Sequence, residues 1–554
     1  MIRNLLVSVG LLLMGTAAFS QVVAPGKTES ALISNAVSSP VENFSGSGFS
    51  SSNLPILIIN TSNGAVIIDD PKITARMGII DNGPGIRNNI TDAYTNYNGN
   101  IGIELRGNST QGFPKKPYNF ETRDNIGANL NVSLLGLPKE NDWVLNASYL
   151  DHTFIRNPLA LHLSKLAGRW ASHCRMVEVV LNGDYQGIYI LMESIKVDKN
   201  RLNIAKLDPA EITAPDITGG YIWEVTGFES NLGYARNLKY PKYDEAAPAQ
   251  INYITKNDND FRSVMNSATY KDETTGYAAW IDVPSFVDEL IVQEATRNSD
   301  AYGFSGYFHK DMSQKIHAGP VWDFDQSAGN SSYPDDGVAE GWMFKHPWTS
   351  NTPFFWKLLF NDPVFSYKVR LRWTELRQGP YRTDKINIYI DSIANYLSEA
   401  QTREFAKWPV LGKNIWRETS GYQNRTTYKA EVDYLKNFLK KRFDWMDTEL
   451  AKIQNPNPNT GIAQFENSEP LHVYPNPASD YLVFEISSKK SGKAIIQMYN
   501  YAGKLVQSSA PIELSTHITA YRFEFDPNLK EGFYLYKIVM DGRLLYAGKV
   551  VKKD

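Results

Sequence analysis

Residues Asn298–Asn330 read NSDAYGFSGYFHKDMSQKIHAGPVWDFDQSAGN, a stretch that carries acidic side chains at two places. Asp300 comes first, and Asp323 and Asp325 follow after an aromatic, strand-like run and a Gly-Pro turn. Two strands joined by a turn form a hairpin, which can bring its flanking residues face to face. The stretch therefore predicts a cleft lined by carboxylates, with the rest of the chain built around it.

The segments on either side of this stretch are predicted to be helical. A helix is expected from Ile281 to Thr296, because Asp282 suits the N-cap and apolar residues recur at helical spacing behind it. The segment Asn231–Asp272 is polar and rich in turn-forming residues. After Asn330, the predicted helices are Pro353–Leu359, Val364–Leu376, Lys385–Phe405 and Thr427–Ile453.

Length and composition limit the possible classes of protein. A chain of 554 residues is too long for one core, so two or three domains are expected. The net charge of -3 argues against a polybasic nucleic-acid binder, and no nucleic-acid partner is predicted. The single cysteine, Cys174, excludes an intrachain disulfide and a cysteine-based zinc cluster.

The N-terminus has the pattern of an export signal. Arg3 precedes the apolar run Leu5–Met14, and Ala18–Ser20 supplies small residues for cleavage, so residues 1–20 are predicted to be a signal peptide. Residues 21–53 are rich in Ser, Gly and Ala and are predicted to be a flexible leader. No later stretch reaches about 18 uninterrupted apolar residues, so no transmembrane segment is predicted.

Basic residues precede the acidic stretch at a turn between two predicted strands. Arg106 ends an alternating strand, and Lys115 and Lys116 begin the next one. They could bind phosphate beside a turn rich in exposed N–H groups, or they could belong to a solvated edge strand. Glu193, at the end of a strongly apolar strand, could line a cleft or lie on the surface. No GxxxxGK[ST] or GxGxxG motif is present.

Carboxylates with basic residues nearby favour phosphoryl transfer. Asp300 could accept a proton from a hydroxyl. Asp323 and Asp325, two residues apart on a predicted strand, would point to one face and could hold a divalent cation. Lys116 and Arg106 could neutralise phosphate charge. A structural Ca²⁺ site or an ion-paired core remains the alternative. Neither HExxH nor GxSxG occurs in the sequence.

The order of motifs over about residues 54–454 resembles the CotH spore-coat kinase family. The resemblance is carried by LRGNS at 105–109, KKPY at 115–118, LLGLP at 134–138, DWVL at 142–145, FIRN at 154–157, LNGDYQGIY at 181–189 and GPVWDFD at 319–325. It implies an α+β fold like that of atypical protein kinases, with a β-rich N-lobe and a helical C-lobe. It also implies the use of ATP and Mg²⁺ to phosphorylate proteins.

The same resemblance implies roles for particular residues. Asp300 would be the catalytic acid, and Asp323, with Asp325 beside it, would bind the metal. The residues implied to contact ATP are Arg106, Lys115, Lys116 and Glu193. The family pattern calls for an Asn a few residues after the catalytic acid, where this sequence has Ser305 and Gly306.

The last part of the chain is predicted to be a separate module. Residues 455–469, which include NPNPNTG, are predicted to be a linker, and residues 470–554 alternate as in a small all-β sandwich. VYPNPA at 473–478, GFYL at 532–535 and the terminal GKVVKK resemble the type A C-terminal sorting domain of the type IX secretion system of Bacteroidetes. This implies passage across the outer membrane and release or attachment at the cell surface.

The sequence thus predicts a secreted protein kinase that acts on an extracellular or surface protein and uses the type IX secretion machinery. The rival hypothesis is a non-catalytic surface protein that keeps the fold for adhesion or partner binding. Glycan binding or hydrolysis by paired acids and aromatic residues is a third hypothesis.

Overall fold

A computed structural model describes residues 48–230, 233–346, 354–456, 471–488, 491–500, 504–516, 518–541 and 543–553. The predicted signal peptide, nearly all of the leader and most of the linker lie outside these residues. The chain divides into two compact units, Met1–Gln454 and Asn455–Asp554. Across the described residues, every helix is too short or too polar to cross a lipid bilayer.

The first unit has a mixed α+β fold. Its strands are β1 (Ser51–Ser52), β2 (Ile56–Thr61), β3 (Ile73–Ile80), β4 (Asn88–Asn89), β5 (Tyr97–Leu105), β6 (Tyr118–Arg123), β7 (Asp142–Asn146), β8 (Cys174–Leu181), β9 (Asp184–Glu193), β10 (Tyr221–Ser230), β11 (Gly233–Tyr240), β12 (Phe304–Lys310) and β13 (Ile316–Ala318). Its helices are α1 (Arg156–Leu166), α2 (Pro248–Met265), α3 (Val283–Thr296), α4 (Phe355–Asn361), α5 (Pro363–Gln378), α6 (Thr383–Tyr396), α7 (Ala400–Lys407) and α8 (Tyr428–Ala451).

Seven strands close into a barrel, in the order β2, β3, β5, β6, β7, β9 and β8. Neighbouring strands are antiparallel, except that β2 and β8 are parallel and complete the ring. Alternate residues point inward and form one apolar core that includes Leu57, Ile79, Phe120 and Trp143. Closure leaves these strands without free edges, so their backbone hydrogen bonds are satisfied within the ring.

A second sheet and the helices form the other part of this unit. The sheet has the antiparallel order β11, β10, β12, β13. Helix α3 is buried almost all round, because β13 and the helices α1, α5 and α8 pack against it. It begins at Asp282, whose side chain accepts a hydrogen bond from the Ser285 N–H, as predicted. It ends at Arg297, which adopts a left-handed conformation.

Two of the sequence predictions for this region need correction. The predicted helix Lys385–Phe405 is two helices, α6 and α7. Helix α2 lies in the segment Asn231–Asp272, for which no helix was expected. Its buried positions include Gln250 and Asp258 as well as apolar residues, so its hydrophobic periodicity is hard to detect in the sequence.

The second unit is all β. Its strands are β14 (His472–Tyr474), β15 (Tyr481–Ile486), β16 (Gly492–Tyr499), β17 (Leu505–Ser508), β18 (Ile512–Leu514), β19 (Thr519–Glu524), β20 (Gly532–Met540) and β21 (Arg543–Lys552). One sheet has the order β14, β15, β19, and the other has the order β17, β16, β20, β21, with β18 paired to β16. Side chains from both sheets share one core, which includes Phe484, Ile496, Phe523 and Ile538.

Candidate functional site

The loop after α3 brings Asp300 towards the other two acids. The Asp300 N–H donates a hydrogen bond to Asn298 Oδ1 at 3.2 Å. The Ser299 N–H and Oγ both donate to the Gln326 carbonyl oxygen, at 3.3 Å and 2.9 Å. Since Gln326 directly follows Asp325, these bonds join the loop that carries Asp300 to the loop that carries Asp325.

The predicted hairpin is present, but the second acidic site is not on a strand. Strands β12 and β13 pair in antiparallel register, with His309 opposite His317. The strand was predicted to continue to Asp325, whereas β13 ends at Ala318 and irregular backbone follows. Asp323 has a φ of 65°, so the alternation expected for a strand does not apply to Asp323 and Asp325.

Backbone strain is concentrated around these acids. Tyr302, Ser305 and Asp323 are non-glycine residues with φ values of 67°, 51° and 65°. Residues other than glycine rarely adopt this left-handed backbone conformation, and those that do cluster at functional sites. The Ser305 hydroxyl donates a hydrogen bond to Asp323 Oδ2 at 3.3 Å, which helps to orient that carboxylate.

The three carboxylates lie close enough to influence one another. The pKa of Asp300 is raised to about 6, mainly by burial and also by Asp323, while Arg417 opposes the shift. Burial also raises the pKa of Asp325 well above its usual range, with smaller contributions from Asp323, Asp300 and Asp151. Within the described residues, Asp300, Asp323 and Asp325 form no ion pair with a basic side chain. These mutual influences indicate that the three acids lie near one another, and the cleft around them stays a prediction.

The acids suit a hard divalent cation that has other oxygen ligands as well. The described residues contain no group of three or more His, Cys, Asp or Glu side chains placed to hold a metal ion. Mg²⁺ commonly takes only one or two carboxylates and completes its shell with waters and substrate phosphates. Asp323 and Asp325 could supply those two carboxylates.

Two buried amides next to the acids have unpaired polar atoms. Asn157 on α1 is 2% exposed, and its Oδ1 accepts a hydrogen bond from the Phe324 N–H at 2.7 Å. Its Nδ2 has no hydrogen-bond partner among the described residues, and neither has Oε1 or Nε2 of Gln326. Unpaired buried polar atoms are costly, so a ligand or water at this site would satisfy them. Asn157 was not predicted as a site residue, although it belongs to the motif FIRN at 154–157.

Two arginine side chains, Arg106 and Arg417, lie near the acid cluster. The Arg106 guanidinium is 5.3 Å from the centre of the Trp322 ring, next to Asp323. Both Arg106 and Asp323 influence the pKa of Tyr307. Arg417 lowers the pKa of Asp300, and its carbonyl oxygen accepts a hydrogen bond from the Ser332 N–H in the segment after Asp325. Arg106 was predicted from the sequence, whereas Arg417 was not.

Lys115 lies in the interior, away from solvent. Its ammonium donates hydrogen bonds to Glu404 Oε1 at 2.7 Å and to the Ile188 carbonyl oxygen at 2.6 Å. Burial lowers the pKa of Lys115 and raises the pKa of Glu404, and each partner opposes the shift of the other. Because its ammonium is enclosed in this way, Lys115 is not accessible to a phosphate group in this conformation.

The other two residues implied to contact ATP are also bonded elsewhere. Lys116 Nζ donates to the Gln111 carbonyl oxygen at 2.6 Å, within its own turn. Glu193 is fully buried, and its Oε2 is 2.8 Å from both the backbone N and Nδ1 of His173. Its Oε1 has no hydrogen-bond partner among the described residues. No described hydrogen bond or ion pair links Lys116 or Glu193 to the acid cluster.

A cavity of about 180 Å³ lies between α1, α3 and β13, and its lining includes Trp170, Glu289 and His309. None of the three clustered acids lines it. Non-glycine residues in left-handed conformations cluster at functional sites, so we place the candidate functional site at the acids and their strained loops and not in this cavity.

The raised pKa values predict a pH-dependent stability. A carboxyl with a higher pKa in the folded state binds its proton more tightly there, so the free energy of unfolding falls as pH rises from about 4 through about 6. We expect the Asp300→Asn/Asp325→Asn variant to lack this part of the pH dependence. Urea unfolding with a chelator, followed by tryptophan fluorescence, would measure it. All 12 tryptophans lie between Trp143 and Trp445, in the first unit. Identical pH profiles for wild type and variant would contradict the prediction.

Comparisons with known proteins agree with the motifs in the sequence. A family model described as CotH kinase protein matches residues 103–446, which is more than half of the chain. A model described as secretion system C-terminal sorting domain matches residues 472–553. No curated protein matches the chain.

One solved structure found in these comparisons is Pseudomonas fluorescens alkylpurine DNA glycosylase AlkC bound to DNA containing an abasic site analog. The identity is 11%, and the match covers 55% of this chain and 76% of that chain. The TM-score is 0.11, so the similarity carries no argument about fold or function.

Proposed function

This chain belongs to the CotH kinase family, and from that premise we propose that it is an atypical protein kinase that uses ATP and Mg²⁺. Its type IX sorting domain indicates secretion to the cell surface, so the acceptor would be a hydroxyl group of an extracellular or surface protein. One observation carries the proposal. The loops after α3 and β13 bring Asp300, Asp323 and Asp325 together, with Arg106 beside them.

A kinase-like arrangement of two lobes is part of this proposal. The seven-stranded barrel would be the small lobe, and the helices with the second sheet would be the larger one. Arg106 follows the barrel strand β5, and it stacks on Trp322, which lies in the loop after β13. This contact supports a nucleotide site at the junction of the barrel and the helical region.

Each residue would have a separate role in the transfer. Asp300 would accept the proton of the attacking hydroxyl, and a pKa of about 6 suits a base that works near neutral pH. Asp323 and Asp325 would hold Mg²⁺, which when bound neutralises charge on phosphate oxygens. Arg106 would bind phosphate through its N–H groups. Asn157 and Gln326 would donate or accept hydrogen bonds at the same place.

The second candidate is a non-catalytic binding protein with the same fold. The geometry of Lys115 favours it, because this lysine is enclosed with Glu404 and does not face the acids. Lys116 does not take its place, since it is bonded within its own turn. An active kinase would therefore have to use Arg106, and not a lysine, as the cationic residue that binds phosphate.

Labelled ATP would distinguish the two candidates. The purified mature chain is incubated with ATP and Mg²⁺, alone and with surface proteins, beside Asp323→Ala and an Asp384→Ala control. Asp384 is an exposed acid that is paired with Arg382. We expect wild type and control to transfer label and to be stabilised by Mg²⁺-ATP, and Asp323→Ala to do neither. Lack of both label transfer and ATP-dependent stabilisation in wild type would exclude the kinase.

A further inference from the structure

Arg417 has an unusual environment among the arginines of this protein. Of the arginine side chains that the structure describes, two form neither a hydrogen bond nor an ion pair with the protein. They are Arg106 and Arg417, and both lie beside the acid cluster. The other described arginines bind carboxylates or carbonyl and amide oxygens, as Arg156 binds Asp151 and Arg442 binds Glu294.

The position of Arg417 is fixed by its surroundings. Its guanidinium lies 4.2 Å from the centre of the Trp416 ring and 4.7 Å from that of Tyr333. Its carbonyl oxygen accepts a hydrogen bond from the Ser332 N–H at 2.6 Å. The next residue, Glu418, is buried beside Arg425 and His152. Stacking on aromatic rings orients the plane of a guanidinium and leaves its N–H groups free to bind a ligand.

Among the described residues, no carboxylate pairs with the Arg417 guanidinium. An anionic ligand would supply that partner. A guanidinium offers five N–H donors in a fixed plane, which match the oxygens of a phosphate group. Arg417 influences Asp300, whereas Arg106 lies beside Asp323. The hydrogen bond from the Ser332 N–H to the Arg417 carbonyl oxygen also ties Arg417 to the segment that follows Asp325.

We propose that Arg417, held by the rings of Trp416 and Tyr333, binds a phosphate group next to Asp300. This inference rests on the proposed function and adds a residue to its site. The phosphate has two possible sources, the terminal group of the nucleotide and a phosphate already attached to the acceptor protein. Both present the same oxygens to the guanidinium, so the experiment distinguishes them.

The test measures binding to the chain without its predicted signal peptide. The variants are Arg417→Ala and Arg417→Lys. The probes are tripolyphosphate, ATP and a phosphoserine peptide, each titrated by calorimetry. We expect Arg417→Ala to weaken binding of at least one probe by about 10- to 100-fold, with a partial loss for Arg417→Lys. An Arg382→Ala variant, in which an exposed ion pair is removed, should bind like wild type. Unchanged thermal unfolding of the Arg417→Lys variant would confirm that its fold is intact.

The pattern across the probes identifies the source of the phosphate. Loss for tripolyphosphate and ATP indicates the nucleotide, and loss for the peptide alone indicates the acceptor. Wild-type affinity of Arg417→Ala for every probe overturns the inference, as does a lack of binding by wild type. Binding that depends on Arg417, in a protein that shows neither label transfer nor stabilisation by Mg²⁺-ATP, would preserve the inference and reject the kinase. Label transfer by wild type, together with wild-type affinity of Arg417→Ala for every probe, would do the reverse.

Discussion

Replacing Asp300 by Asn is expected to slow phosphoryl transfer by about 10²- to 10⁴-fold, the usual contribution of a general base. The amide has nearly the same shape as the carboxylate, but it cannot accept the hydroxyl proton. The loop should keep its structure, because it is held by backbone and Ser299 hydrogen bonds to Gln326 and not by the Asp300 carboxylate. The rate of label transfer at saturating ATP measures the effect.

Stability provides the control for Asp300→Asn. Burial and Asp323 both disfavour the charged form of Asp300, so Asn should leave the free energy of unfolding unchanged or raise it near neutral pH. A rate loss together with equal or higher stability would identify a chemical role. Full activity of Asp300→Asn would remove Asp300 from the mechanism, and a large loss of stability would show that the carboxylate supports the fold.

Replacing Lys115 by Ala is expected to lower the free energy of unfolding of the first unit by about 3–5 kcal/mol, because it leaves a buried charge without its partner. The Glu404 carboxylate would remain buried. Among the described residues, its one remaining hydrogen bond would be the one that Oε2 accepts from the Ile188 N–H at 2.6 Å. Gly187 shows how tightly the carboxylate is held. It has a φ of +95°, and a Cβ there would lie 2.0 Å from Glu404 Oε2. Urea unfolding followed by tryptophan fluorescence measures the change.

The neighbouring residue provides a matched control for Lys115→Ala. Lys116 is half-buried and bonds only to a carbonyl oxygen of its own turn, so Lys116→Ala should cost far less. A Lys115→Met/Glu404→Gln variant removes both charges and should be more stable than the sum of the single changes predicts. Equal losses for Lys115→Ala and Lys116→Ala would mean that the buried ion pair contributes little.

Local patterns in the sequence predicted many elements correctly. Asn182-Gly183 predicted the turn between β8 and β9, and both residues have the positive φ that such a turn needs. Asp282 and the apolar residues behind it predicted α3. These predictions succeed because turns, caps and amphipathic helices depend on residues close together in the chain.

The motifs also predicted the family and the sorting domain, which the family models confirm, because each motif is a continuous stretch of sequence. The assignment of the acids at 300, 323 and 325 to a functional site stays a prediction from the same stretches. Only the tertiary structure decided the partners of those residues. Lys115 pairs with Glu404, which is 289 positions away, and Asn157 meets Phe324 across 167 positions. Arg417, which is far from Asp300 in the sequence, lowers the pKa of that acid. Spacing in the sequence does not encode such contacts, because they arise when separate elements pack around one core.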